Sequence, residues 1–218
     1  MATHPGTIVR AVSAGLTAVA LLLTGCSDSS QPEQPAPPTG APSATVTASS
    51  AAVMWADGIC TATTGLEAAI RQVTATLKFD PTASETAIDQ TKAQARDRVA
   101  AVQQSVNDLR TAIAAVPPEA QDSVAAAQQQ LAQTADRARS AADQLGAAAQ
   151  QVADAQTRAE TATALAGMAT ALAAASAGVT AYVDALRQAA DSRDPVVRSA
   201  FATAPACAAR SVAASTTS

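Results

Sequence analysis

Apolar residues recur along this chain at spacings of three and four, the period of one face of an α-helix. One seam runs through Ile59, Leu66, Ile70, Val73 and Leu77. A second takes Ile88, Ala95, Val99, Val102, Val106, Leu109, Ile113 and Val116. A third is Val124, Leu131, Ala135, Ala138, Ala142, Leu145, Ala149 and Val152. The fourth, less regular, includes Leu165, Met168, Leu172, Val179, Val183 and Leu186. Seams this narrow pack against neighbouring helices at about 20°. Four of them joined by short turns predict an all-α fold, an up-down four-helix bundle.

Punctuation sets the ends of these elements. Asp80-Pro81-Thr82-Ala83-Ser84-Glu85 offers Thr82 as N-cap with Glu85 at N3, a capping box. Pro117-Pro118-Glu119 stops the second helix and opens the third with Pro118 at N1. Asp194-Pro195 opens a short C-terminal helix towards Phe201 and Cys207. Between the third and fourth helices no proline or capping box stands out. A slip in heptad phase between Ala159 and Leu165 puts that break near Thr157–Thr161. The predicted helices cover about 54–78, 82–116, 118–157, 161–191 and 195–204 of a domain spanning 53–209, with a disordered tail over 210–218. Glu67/Arg71 and Asp154/Arg158 have i,i+4 spacing, which suits solvated ion pairs of a few tenths of a kcal/mol.

Composition agrees with the pattern. The 218 residues include 61 alanines and only 2% aromatics. Alanine is the best helix former, and strands want the β-branched and aromatic residues that are scarce here. Trp55, Phe79, Tyr182 and Phe201 read as core plugs.

The N-terminus reads as an address. Arg10 precedes an apolar run from Ala11 to Leu23, and Leu23-Thr24-Gly25-Cys26 follows. A positive start, a short apolar run and small residues before a cut site describe a secretory signal, here residues 1–25. The run falls short of the roughly 20 apolar residues a membrane span needs. The tetrapeptide resembles the bacterial lipobox, which implies diacylation of Cys26 and anchoring to the outer face of the cytoplasmic membrane. The other reading is an ordinary signal with an incidental cysteine. Residues 26–52, with Pro32, Pro35, Pro37, Pro38 and Pro42 among Ser, Thr, Ala and Gln, cannot bury enough apolar surface to order themselves. They read as a disordered tether, bare or O-glycosylated.

With Cys26 acylated, Cys60 and Cys207 remain, and only one pairing is possible. Export places both in an oxidising compartment, so a disulfide is expected. A reactive or metal-binding pair is the alternative, but a zinc site wants four ligands.

Without Arg10 the chain carries 13 Lys+Arg against 18 Asp+Glu, a formal charge of −5, and His4 is its one histidine. No basic run offers the phosphate-neutralising patch that nucleic acid demands. Loss of His4 with the signal removes the commonest general base and metal ligand. Gly146, Gly167 and Gly178 stand isolated in helical sequence and form no phosphate loop. Asp136, Asp143 and Asp154 could do acid–base work, but Arg137, Arg139 and Arg158 beside them suggest ion pairs. No enzyme, cofactor or metal site is expected.

One stretch is ambiguous. Ala162–Val183 holds 22 residues without a charge, long enough to cross a membrane. Its Ala, Thr, Ser and Gly would insert poorly, so an internal bundle helix is the expectation. A helix lying along a lipid or another helical protein remains open.

These features together resemble a group of secreted lipoproteins from mycobacteria and related actinobacteria. The likeness rests on the lipobox ending at Cys26, the tether, Trp55-Ala56-Asp57-Gly58-Ile59-Cys60, and Ala200-Phe201 leading to Cys207. It implies a secreted helical domain bracketed by two cysteines, with no activity attached. The expected function is a non-enzymatic, membrane-anchored envelope lipoprotein with a structural or protein-interaction role. The alternative is a carrier holding a lipid or other apolar molecule between Ala-rich helices.

Overall fold

The computed structural model describes residues 47–76, 80 and 82–215. The signal peptide, Cys26 and nearly all of the tether lie outside the described residues, as do Leu77, Phe79 and residues 216–218. Six α-helices and a 3-10 turn, with no strand, make up the described residues: α1 (Ser50–Thr76), α2 (Glu85–Ala114), the turn Pro118–Ala120, α3 (Gln121–Asp154), α4 (Arg158–Ala190), α5 (Pro195–Thr203) and α6 (Pro205–Ser215). The fold is all-helical.

Local chemistry explains where these helices start, and it corrects several predicted ends. Helix α1 begins before residue 54, because the Ser49 hydroxyl accepts the Ala52 amide at 3.2 Å and satisfies an orphan donor. The N-cap of α2 is Ser84, not Thr82; its hydroxyl accepts the Ala87 amide at 3.3 Å. Thr82 instead gives both its hydroxyl and its amide to Asp80 Oδ1, at 2.7 and 2.8 Å. Those two bonds, the hydroxyl's first, hold the exposed Asp80 carboxyl below its usual range.

The capping box sits where none was expected, at the start of α4. Thr157 Oγ1 accepts the Glu160 amide at 3.2 Å, and Glu160 Oε2 accepts the Thr157 amide at 3.0 Å. The same carboxylate also takes the Gln156 amide at 2.8 Å, and this bond is the main cause of its lowered pKa. Asp194 caps α5 through the Val196 and Val197 amides. Helix α6 replaces much of the expected disordered tail. Pro205 takes its first position, and the Asp57 carboxylate of α1 accepts the Ala206 amide at 2.7 Å, where the helix dipole favours a negative charge.

Helix α1 packs along α2, α2 along α3 and α3 along α4, whereas α1 meets α4 over a much shorter stretch. Helix α5 contacts α1, α4 and α3, and α6 lies on α1 and α5. The seams supply the core: Leu66, Leu109, Leu131 and Leu145 are fully buried, as are Val99, Val106 and Val152. Polar links fix the register. Trp55 Nε1 donates to the Ile113 carbonyl at 3.1 Å, joining the start of α1 to the end of α2. Lys92 Nζ donates to the Ala155 carbonyl at 2.7 Å, a cation on the C-terminal end of α3. Where α4 packs on α3, a Cβ on Gly178 would stand 3.4 Å from Ala138 Cα, in van der Waals contact, so a side chain larger than a methyl has no room there.

Candidate functional site

The two predicted thiols form one bond. Cys60 on α1 and Cys207 on α6 are joined by a disulfide across 147 positions of sequence. Around it, α1 holds the C-terminal helices by further contacts. Glu67 accepts both Arg210 guanidinium nitrogens, at 2.9 and 3.0 Å. The Ser199 hydroxyl accepts the Ala48 amide at 3.3 Å. Trp55 meets Phe201 edge-on, with ring centroids 5.8 Å apart.

Because α1 and α4 touch over a short stretch only, a groove opens between them. One hollow of about 340 Å³ has Ile70, Val179 and Val183 in its walls and Arg71, Arg187 and Thr180 among its polar groups. A second, of about 320 Å³, continues past Leu186 and Ala190 to Phe201 and the disulfide. Val183 and Arg187 line both. Arg187 pairs with Asp184 at 2.8 Å, whereas Arg71 has no carboxylate partner among the described residues.

Tyr182 lies deeper, on α4, fully buried. Its hydroxyl completes no hydrogen bond. The Thr63 hydroxyl beside it gives its proton to the Ile59 carbonyl at 2.7 Å. Burial drives the Tyr182 phenol far above its ordinary value, and Thr63 and the Arg210 charge offset that only in part.

The outer face of α4 is the other unusual surface. The seam from Leu165 to Ala189 is buried, as expected of a bundle helix. The opposite face is not internal: Ala162, Ala166, Gly167, Ala169, Ala173 and Ala177 are all exposed. Only 28% of the most apolar window of α4 is buried, although the helix is long and apolar enough to cross a membrane by length and composition. Thr163, Thr170 and Thr180 give their hydroxyl protons to carbonyls one turn back, at 3.0, 3.2 and 3.0 Å. That bonding leaves methyl groups as the main feature of the face.

The carboxylates considered for acid–base work are dispersed. Asp136 pairs with Arg110 of α2 at 3.0 Å, not with Arg137. Asp143 faces Arg139 at 3.8 Å. Asp154 accepts from Gln150 at 2.9 Å and lies across the α3–α4 break from Arg158. Glu67 turns to Arg210 and not to Arg71. Among the described residues, no three His, Cys, Asp or Glu gather to hold a metal ion. Sequence reasoning allowed for a carrier site between Ala-rich helices but did not place this groove. Its walls come from α1, α4, α5 and α6, and no single periodic segment carries it.

Comparison with protein-family models, with characterised proteins and with solved structures yields no match to this chain.

Proposed function

We propose that this protein is a non-enzymatic lipoprotein of the actinobacterial cell envelope, exported by residues 1–25 and held at the outer face of the cytoplasmic membrane by lipid on Cys26. The tether then carries an up-down four-helix bundle, closed at one end by α5 and α6, as an interaction module for a helical partner. The observation that supports this reading best is the uncharged outer face of α4, which stays exposed although polar residues cover the equivalent faces of α2 and α3. Small side chains let a second helix approach closely, and a face without charge costs little to desolvate. Photo-crosslinkers placed at Ala166 or Ala173 in the host cell test it. A discrete envelope protein should be captured from both positions and not from Gln104 on α2. Equal capture from all three positions removes the assignment.

The groove favours a second reading, that the bundle carries an apolar molecule between α1 and α4. Its apolar walls and size suit a small ligand, since such sites occupy about 300–1,000 Å³.

A further inference from the structure

We propose that the α1–α4 groove binds one single-chain anionic amphiphile, with its head between Arg71 and Arg187 and its alkyl chain running past Val183 to Phe201 and the disulfide. This deepens the carrier reading and rests on it, independently of the anchor at Cys26.

Three observations lead to this occupant. The first is length. The lining residues of α4 run from Ser176 to Ala190, which at 1.5 Å per residue is roughly 21 Å. A single acyl chain spans about half of a hydrocarbon core some 30 Å thick. The groove therefore takes one chain with its head, lying along the helix.

The second is the division of chemistry along the groove. The hollow nearer the end of α1 carries the two guanidinium groups and the Thr180 hydroxyl. The hollow nearer α5 is walled mainly by Val183, Leu186, Ala190, Phe201 and the cystine, with Arg187 and the Glu67-bound Arg210 as its polar groups. More polar at the Arg71 end, where Glu67, Ser176, Thr180 and Arg187 also line it, and mainly apolar towards Phe201, the groove matches an amphiphile better than a uniformly apolar molecule.

The third is charge. Arg71 is exposed and lacks a carboxylate among the described residues, while the Arg187–Asp184 pair lies in solvent, where such pairs are worth little. Glu67 is the one acid in the wall, and the bidentate Arg210 contact neutralises it. The head region thus has a net positive charge in a domain that is acidic overall. A planar guanidinium suits a carboxylate or phosphate through paired N–H donors.

The chain contains a built-in reporter. Trp55 is its one tryptophan, and the ring lies against Phe201 at the closed end of the groove. The full-length chain carrying Cys26→Ser, free of acyl groups of its own, is titrated with 16-bromohexadecanoate, whose terminal bromine quenches indole fluorescence. Saturable quenching is expected at low micromolar ligand. Unlabelled palmitate should compete, and hexadecanol should compete at least about tenfold less well, the loss that goes with one charge-assisted hydrogen bond. Arg71→Ala, at an exposed position that leaves the fold intact, should weaken palmitate about tenfold and leave hexadecanol unchanged. Ala190→Phe should abolish the quenching by filling the tail end. Equal competition by hexadecanol and palmitate, or indifference to Arg71→Ala, overturns the anionic assignment while the carrier reading stands. No saturable quenching by any long-chain ligand overturns both.

Discussion

At the scale of single residues, Tyr182 is the group whose environment fits its chemistry least well. A buried hydroxyl without a partner costs about 1–3 kcal/mol, and Tyr182 Oη is in that state. Tyr182→Phe keeps the ring in the core and removes the orphan, so it should stabilise the protein by about 1 kcal/mol, a rise in Tm of roughly 2–4 °C for a domain of this size. Thermal unfolding followed by circular dichroism checks it, and a lower Tm would show that the hydroxyl has a partner. The same residue sets a pH dependence. Its folded pKa is raised, chiefly by burial. The folded state therefore holds the proton more tightly than the unfolded one. The associated stability is complete below the unfolded value of about 10 and is lost as pH rises above it. Denaturant titrations at pH 9 and pH 11 should show a steeper loss for the wild type than for Tyr182→Phe. The sequence marked Tyr182 as a core plug, which is where it lies. It could not show the missing partner, because the residues around the hydroxyl, Thr63 among them at 119 positions away, come from distant parts of the chain. Caps were harder still. Thr82 and Ser84 both suit an N-cap, and the Asp80 carboxylate decides between them by taking Thr82 for itself.

At the scale of elements, the seams were legible because their period belongs to the helix alone, and Ile88 through Ile113 are buried as that period requires. What a helix does with its other face was not legible. The stretch Ala162–Val183 reads as internal when composition is the only guide, since alanine is equally at home in a close helix contact and on an open surface. The glycines of α4 separate the two cases. Gly167 has nothing within 4 Å of an added Cβ, whereas Gly178 would bring one to 3.4 Å from Ala138 Cα. Gly167→Ala should therefore stabilise by about 0.5–1 kcal/mol through the unfolded chain alone. Gly178→Leu should destabilise by about 1–3 kcal/mol, because α4 must move off α3. Urea unfolding of the two variants distinguishes them, and equal effects would mean that α3 and α4 do not approach as described. Helix α6 was missed for a related reason. Its 11 residues are too few to show a period, and its start depends on Asp57, a long way off in sequence.

At the scale of the whole molecule, the question is what keeps α1 in place at its weak border with α4. The long α1–α2 interface holds one side, and on the other the work passes to α5, α6 and the disulfide. Closing a loop of 147 positions removes much of the freedom of the unfolded chain, about 4–5 kcal/mol in the entropy model, and removal of native disulfides costs about 2–5 kcal/mol in small secreted domains. The double variant Cys60→Ala/Cys207→Ala should accordingly lose about 2–5 kcal/mol, or at least about 4 °C in Tm at the 2–4 °C per kcal/mol typical of this size. The loss should not be uniform. Without the bond, α6 is held by the part-buried Asp57 cap and Glu67–Arg210 pair and by its packing on α1 and α5, contacts less extensive than those of the long helices, so it should detach first. Limited proteolysis of the double variant should cut within 204–215 while the helical signal of α1 to α4 is still intact. The quenching of Trp55 by a brominated amphiphile should fall at the same stage, because Phe201 and α6 form the closed end of the groove. If oxidised and cysteine-free proteins melt together and resist protease alike, the C-terminal helices are held by packing alone, and the disulfide has no part in closing the α1–α4 border.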